Sequence, residues 1–516
     1  MLTLIGQQPG SPIRAEQATT YKLPMRLLST IRRQLLLRPR HNFVVDDRKS
    51  WSGFELLAGS WHLAAAMERA SSAPAIAVML PTSGMFSLAM LATWTLGRTL
   101  VPINYLLSRS DLEYVLKDAG CDTVLTVGPM LDFTGGLPEG IRAIKLEDVS
   151  FRGMPWPRLR NPLPDAEVAV LLYTSGTSGR PKGVMLTGAN LAANVEQVRE
   201  WVQFNSSDVL LGVLPQFHSF GLTVLTILPL AIGGRAVYAA KFQPKKVIDL
   251  ARTHRPTAFI AIPSMYNALL AVKDGKPADL ASLRFAVSGG EPLPAAVFEG
   301  FQAKYGVTLN EGYGLTETSP ATNWCRPDEY RPKSVGRPLP GIEERIVAPD
   351  GRVLGPDQDG EIRIKGPNVM RGYRNLPQES SAVIDEHGFF KTGDMGRLDK
   401  DGFLYITGRI KEMLIIAGEN VFPREIEEVI NRHPSVKDSA VIGMPDGSRG
   451  EVAIAFVELA DGVEFDGPAL RAFCREHLAQ FKVPREIRVV AALPRNATGK
   501  IVRRQLSPDT ASTQSA

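Results

Sequence analysis

From about Ser52 onward the chain alternates short, wholly apolar runs with longer segments whose apolar positions recur at helical spacing. The runs AIAVML (75–80), TVLTV (123–127) and VAVLLY (168–173) show no inside–outside alternation, and VLLGVLP, TAFIAIP and LRFAVSGG continue the rhythm. A strand covered on both faces needs such a run, so the pattern predicts parallel strands between helical layers and at least one doubly wound sheet. The most apolar stretch, 75–103, is interrupted by Pro81, Gly84, Gly97 and Arg98. It reads as strand, helix, strand and not as a membrane span.

Around Ser334 the texture changes to short, turn-rich segments: VGRPLPG, EERIV, GEIRIKG and GFFKTGDMGRLDKDGFLYITGR. Asp399, Asp401 and Gly402 supply the turn of a hairpin in the last of these, predicting a small antiparallel, β-barrel-like unit. After Gly408 a compact tail is expected, with helices near 423–432 and 469–480 and strands near 438–444 and 452–459. The fold class is therefore α/β, with a large N-terminal domain (1–408) hinged near 409–411 to a small α+β C-terminal domain (409–516). The closing SPDTASTQSA is small and polar, and is expected to fray.

A chain of 516 residues exceeds what one hydrophobic core supports, in keeping with two domains. The net charge of +5 is spread without a basic stripe, which argues against nucleic acid as a partner. Cys121, Cys325 and Cys474 lie far apart and form neither a metal pattern nor a disulfide framework. The opening MLTLIGQQPG lacks the charged and apolar regions of a signal peptide, so a cytoplasmic protein without an integral membrane segment is expected.

The segment YTSGTSGRPKG (173–183) follows a buried-strand run and packs three Gly, two Ser, two Thr and one Lys. Backbone N–H groups, hydroxyls and the Lys182 ammonium can converge there on one anion, although no Gly-Lys-Ser/Thr ends the loop as in a P-loop. A flexible turn has the same composition; the order of residues distinguishes the two. YTSGTSGRPKG resembles the phosphate loop of the adenylate-forming superfamily of acyl-CoA synthetases, nonribosomal adenylation domains and firefly-type luciferases. Further motifs follow in the family's order: LPQFHSFG (214–221), SGGEPL (288–293), NEGYGLTE (310–317), KTGDMG (391–396), GRIKEMLIIAGENVFPREIE (408–427) and LPRNATGK (493–500).

The resemblance implies ATP and Mg2+ as requirements and coenzyme A as co-substrate, with an acyl-adenylate between. It places Thr174, Ser175, Gly176, Thr177, Ser178, Gly179 and Lys182 on the phosphates. Gly289, Gly290, Glu291, Asn310, Glu311, Gly312, Tyr313 and Thr316 fall on the nucleotide, with Glu317 on the metal. Asp394 and Arg409 belong to the ribose, where two carboxylate oxygens and a planar cation suit a diol. Lys500 matches the catalytic lysine; taken alone it is one basic residue in a tail with Arg495, Arg503 and Arg504.

His218, between Phe217 and Phe220, matches a gate to the acid pocket and not a general base. Phe220, Gly221, Gly314 and Leu315 line that pocket by resemblance. Gly314 stands where acetate-type synthetases carry a tryptophan, which implies depth for a medium- or long-chain fatty acid; an aromatic acid meets the same description. Lys411 matches the hinge and Gly418 the thiol channel. Ala417, Ser219, Gln216 and Arg374 depart from the common pattern; Ala417 narrows the expected thiol route and the polar pair is expected at the pocket mouth. The partners implied are a small carboxylic acid, ATP and CoA, with a carrier-protein pantetheine as the alternative acceptor, in a monomer or homodimer. A binding protein that has lost turnover is the reading from another class, and the intact Lys182, Glu317, Asp394 and Lys500 weigh against it.

Overall fold

The computed structural model describes residues 27–159, 164–175, 180–446, 450–460, 462–495, 499–507 and 514–515. The apolar runs become strands of two large sheets. In the nine-stranded sheet, six consecutive strands are parallel: Asn310–Gly314, Phe285–Gly289, Ala258–Ala261, Val209–Gly212, Arg235–Tyr238 and Asn42–Val45. In the seven-stranded sheet, Val168–Ser175, Thr99–Pro102, Ala75–Val78, Thr123–Thr126 and Arg142–Lys145 are parallel. Pro181–Thr187 folds back antiparallel on Val168–Ser175, so the phosphate-loop motif joins the two strands of a hairpin.

The helix Gly84–Thr95 explains why the sheets adhere. Apart from Met85 all its residues are buried, it has no polar face, and Trp94 donates its indole N–H to Ala169 O at 3.0 Å. A helix apolar all round must be covered all round. It lies in one continuous apolar core that takes side chains from both sheets. The helix Gly53–Ala70 starts where Ser52 and Glu55 form a capping box, closing its first turn.

The turn-rich region forms a four-stranded antiparallel sheet of Glu343–Val347, Gly360–Lys365, Phe390–Leu398 and Leu404–Arg409. The expected hairpin turn lies between the last two. One 3₁₀ turn, Ile410–Glu412, leads to the C-terminal sheet, whose longest strands are Val436–Asp446 and Gly450–Leu459 and which has its own core against Pro423–Ile430 and Gly467–His477.

The helix Leu27–Leu37 and the strands Asn42–Val45 and Ser50–Ser52 lie ahead of the alternating apolar runs. Two expectations change. The last long helix stops at His477 because Leu478 turns extended, with φ −123°. Of the tail expected to fray, 508–513 and 516 lie outside the described residues, while the backbone of Gln514–Ser515 pairs with Glu486–Val489. No described helix is long and apolar enough to cross a membrane.

Candidate active site

The site sits beyond the carboxyl ends of the parallel strands, where an open α/β sheet leaves a crevice. One part of it centres on Asp394, which is 3% exposed. The ladder places Asp394 opposite Arg409, and Arg409 Nε donates to Asp394 Oδ1 at 2.9 Å. Tyr313 donates its hydroxyl to Oδ2 at 2.6 Å. Burial, and then the Asp394 charge, push the Tyr313 phenol well above its ordinary value, so it stays a donor. Burial works against the Arg409 charge, yet Asp394 and Glu412 hold its pKa above the ordinary value.

Glu317 receives the Tyr373 hydroxyl on Oε1 at 3.0 Å. Burial raises its pKa, opposed by its own backbone N–H, Tyr373 and Arg409. A desolvated carboxylate raised in this way gains from a cation. No group of three His, Cys, Asp or Glu forms a metal site among the described residues. Glu317 therefore fits Mg2+ as one ligand among phosphate oxygens and waters, the usual mode for that ion. Thr316 Oγ1 lies 3.3 Å from Ser219 Oγ. Thr174 faces Lys182 across the hairpin. Lys182 forms an ion pair with Glu379, and its Nζ lies 5.2 Å from the centre of the Tyr373 ring. Gly176, Thr177, Ser178, Gly179 and the Ser175 side chain lie outside the described residues.

Several glycines are explained by close packing. A Cβ on Gly289 would meet the Phe220 ring at 3.0 Å, and one on Gly312 would meet Trp324 Cδ1 at 2.6 Å. Gly290 has φ +84°, a conformation suited to glycine. At Gly221 a Cβ would stand 2.0 Å from Pro215 O, and at Gly314 1.9 Å from Pro320 O. At Gly314 backbone already fills the direction a side chain would take, so close packing by itself calls for glycine there. Asn310 turns inward, donating to Ala286 O at 3.2 Å, and borders a separate cavity of about 450 Å³ with Leu280, Arg284 and Tyr305. Glu311 faces Leu293 N at 3.5 Å, and burial pushes its pKa up to about 7.

His218 is exposed, yet desolvation by the protein around it and then the Lys500 charge push its pKa down to about 4. Phe217 packs edge-on against Tyr105 at 5.1 Å, Phe220 lies 6.3 Å from Trp324, and Leu315 is half-buried. Behind them Thr223–Ile227 forms one π-helical turn and is wholly buried. Gln216, expected at the pocket mouth, is also buried; it accepts from Ser83 N at 2.8 Å and donates to Thr226 Oγ1 at 2.9 Å.

The C-terminal domain reaches this cleft through 499–501. A Cβ on Gly499 would lie 2.9 Å from Ile262 Cδ1, so this glycine permits the approach. The Ile501 N–H is hydrogen-bonded to Glu291, whose carboxyl burial raises and Lys500 lowers. Burial and then Arg409 pull the Lys500 pKa down to about 8, opposed by Glu291, Asp394 and Glu412. Glu291 thus meets the lysine-bearing segment, a contact its place in SGGEPL did not disclose. Lys411 is exposed, and its pKa is lowered by desolvation of its ammonium and then by Arg409. Ala417 and Gly418 have φ +53° and +85°, and nothing lies within 4 Å of a Cβ on Gly418. Tyr373 and Glu379 carried no spacing signal that would have found them.

The chain matches the family model described as "AMP-binding enzyme" over residues 31–374 and that of its C-terminal domain over 425–500. It is 33% identical to a long-chain-fatty-acid–CoA ligase of Bacillus subtilis, covering 84% of each chain. It is 35% identical to a sulfoacetate–CoA ligase of Cupriavidus necator, covering 84% of this chain and 87% of that one. The structure of o-succinylbenzoate CoA synthetase from Bacillus subtilis with its acyl-adenylate superposes with a TM-score of 0.84 at 29% identity, over 94% of this chain and 98% of that one. The chain belongs to the adenylate-forming superfamily of AMP-binding enzymes, and within it to the CoA-ligase type.

Proposed function

We propose that the protein activates a medium- or long-chain fatty acid with ATP and transfers the acyl group to CoA. In the first step a carboxylate oxygen bonds to the α-phosphorus while the bond to the bridging oxygen breaks and pyrophosphate leaves. In the second the thiol sulfur bonds to the acyl carbon, AMP departs with the bonding electrons, and the thiol gives up its proton.

The observation that carries the reading is the meeting of Lys500, Arg409 and Asp394 at one crevice, with two domains contributing. Two anions must approach in the first step, and fixed cations offset their repulsion. An ammonium about 4 Å from the developing charge contributes roughly 4 kcal/mol at an effective dielectric near 20. That corresponds to about three decades in rate. Lys500, lowered to about 8, remains mostly charged at neutral pH.

Asp394 keeps acceptor capacity for a ribose diol beyond the hydrogen bonds it already accepts. Glu317 would hold Mg2+, which supplies charge neutralisation on the phosphates. His218, with its pKa lowered, is uncharged at neutral pH and is read as shaping the entrance for the acid. Phe217, Phe220, Leu315 and the buried turn Thr223–Ile227 favour an apolar acid, in keeping with the fatty-acid relative.

The test is acid-dependent ATP–pyrophosphate exchange across fatty and aromatic acids, followed by turnover with CoA and with a holo carrier protein. Exchange with medium or long fatty acids and turnover with free CoA are expected. Absence of exchange with every acid would sink the reading.

A further inference from the structure

We infer that Glu379 is a positioning residue for Lys182, holding its ammonium at the root of the phosphate loop so that phosphate meets a cation already in place. The inference rests on the proposed use of ATP. Lys182 is the second residue of the strand Pro181–Thr187, and its side chain crosses to the first turn of the helix Pro377–Val383, where it pairs with Glu379. Its side chain is only 18% exposed. Among the described residues, Lys182 is the one cation paired with Glu379.

The surroundings make this pair rigid. The short strand Gly372–Tyr373 pairs with Val184 and Met185, and Arg374 N donates to Gly183 O at 2.7 Å. Tyr373 N donates to Ser380 Oγ at 2.8 Å, tying the Glu379 helix to the loop strand. The Tyr373 ring supports the ammonium from below at 5.2 Å while its hydroxyl donates to Glu317. One tyrosine thus braces both the loop lysine and the carboxylate expected to meet the metal.

A free lysine stem loses much rotamer freedom when it engages phosphate. Glu379 and Tyr373 impose that order beforehand, and a carboxylate occupying one N–H leaves two for phosphate oxygens. The opposing effect is repulsion between Glu379 and the nucleotide. The burial and bracing of Lys182 argue that order outweighs repulsion.

The experiment uses the full chain with Glu379→Gln, Glu379→Asp, Lys182→Ala and the Glu379→Gln/Lys182→Ala pair. Lys182 reactivity is read by acetic anhydride labelling and peptide mass spectrometry, with and without MgATP. KM for ATP and for the acid come from pyrophosphate exchange. Glu379→Gln is expected to raise KM for ATP about tenfold, the scale of one charge-assisted contact, with the acid KM unchanged and Lys182 labelling increased. Glu379→Asp should recover part of both effects, and the double variant should bind ATP no worse than Lys182→Ala.

Unchanged KM and labelling, a lower KM for ATP, or additive losses in the double variant would each overturn the assignment. If no acid supports exchange, the proposed function fails, while labelling still reports on the pair.

Discussion

The two halves of the site are built differently. Asp394, Tyr313 and Arg409 are held by a sheet ladder and short hydrogen bonds, with the carboxylate almost sealed from solvent. Lys500 reaches the same charges from another domain, on a segment whose approach depends on Gly499 against Ile262 and on Glu291 meeting the Ile501 N–H. The first half lies within one ladder and, on the proposed reading, serves nucleotide recognition. The second is docked, and its pull from an ordinary 10.5 to about 8 marks what docking costs a charged lysine. On the proposed function, a site made this way would let the cation withdraw after adenylation while the Asp394–Arg409 pair stays in place.

The sharpest way to break this contrast is Lys500→Ala. Adenylate formation should fall about a thousandfold, while thioester formation from supplied acyl-adenylate largely survives. Equal loss of both half-reactions would show that the lysine is part of the first half. The pH profile adds a signed test. The first half-reaction needs the charged lysine, so its rate should decline as pH rises through about 8. Docking carries its full cost below about 8, and that cost fades as pH rises toward 10.5, so the closed arrangement should grow more stable over that window. A falling rate with a strengthening interface is a combination that general alkaline unfolding does not produce.

Asp394→Asn probes the other half. It leaves the Arg409 guanidinium without its carboxylate and weakens the Tyr313 hydrogen bond. Ten- to hundredfold weaker nucleotide affinity is expected, about 1.4–3 kcal/mol. Both half-reactions should suffer, since adenylate and ATP share the nucleoside. Titrating each half-reaction with ATP and with acyl-adenylate checks this; loss in the first alone would put Asp394 with the docked lysine.

Much of the first half was legible in the sequence because chemistry restricts residue type at each motif position, and the ladder then brings Asp394 and Arg409 together. The supporting contacts were not. Lys182 and Glu379 meet only because a two-residue strand lays a helix against the hairpin, a relation with no spacing in the chain. Gly314 was visible as a glycine, but the Pro320 carbonyl opposite it belongs to the next strand's approach and leaves no mark on periodicity. The helix Leu27–Leu37 buries Leu27, Leu28, Ile31 and Leu35, a recognisable stripe lying ahead of the first apolar run.

The smallest expected effect sharpens the contrast most finely. Gly418 sits at φ +85° beside Ala417 at φ +53°, in the two-residue turn between Leu414–Ile416 and Glu419–Val421. Gly418→Ala adds a Cβ that meets nothing within 4 Å in this docked arrangement, so adenylate formation should stay within about twofold of the parent. The left-handed backbone should lower C-terminal domain stability by about 1 kcal/mol, measurable as a shifted unfolding midpoint. If Gly418 borders a thiol path only after the domain turns, thioester formation should fall more than that strain explains. An unchanged thioester rate would free Gly418 of any role beyond the turn, leaving Lys500 as the domain's one tested contribution to the chemistry.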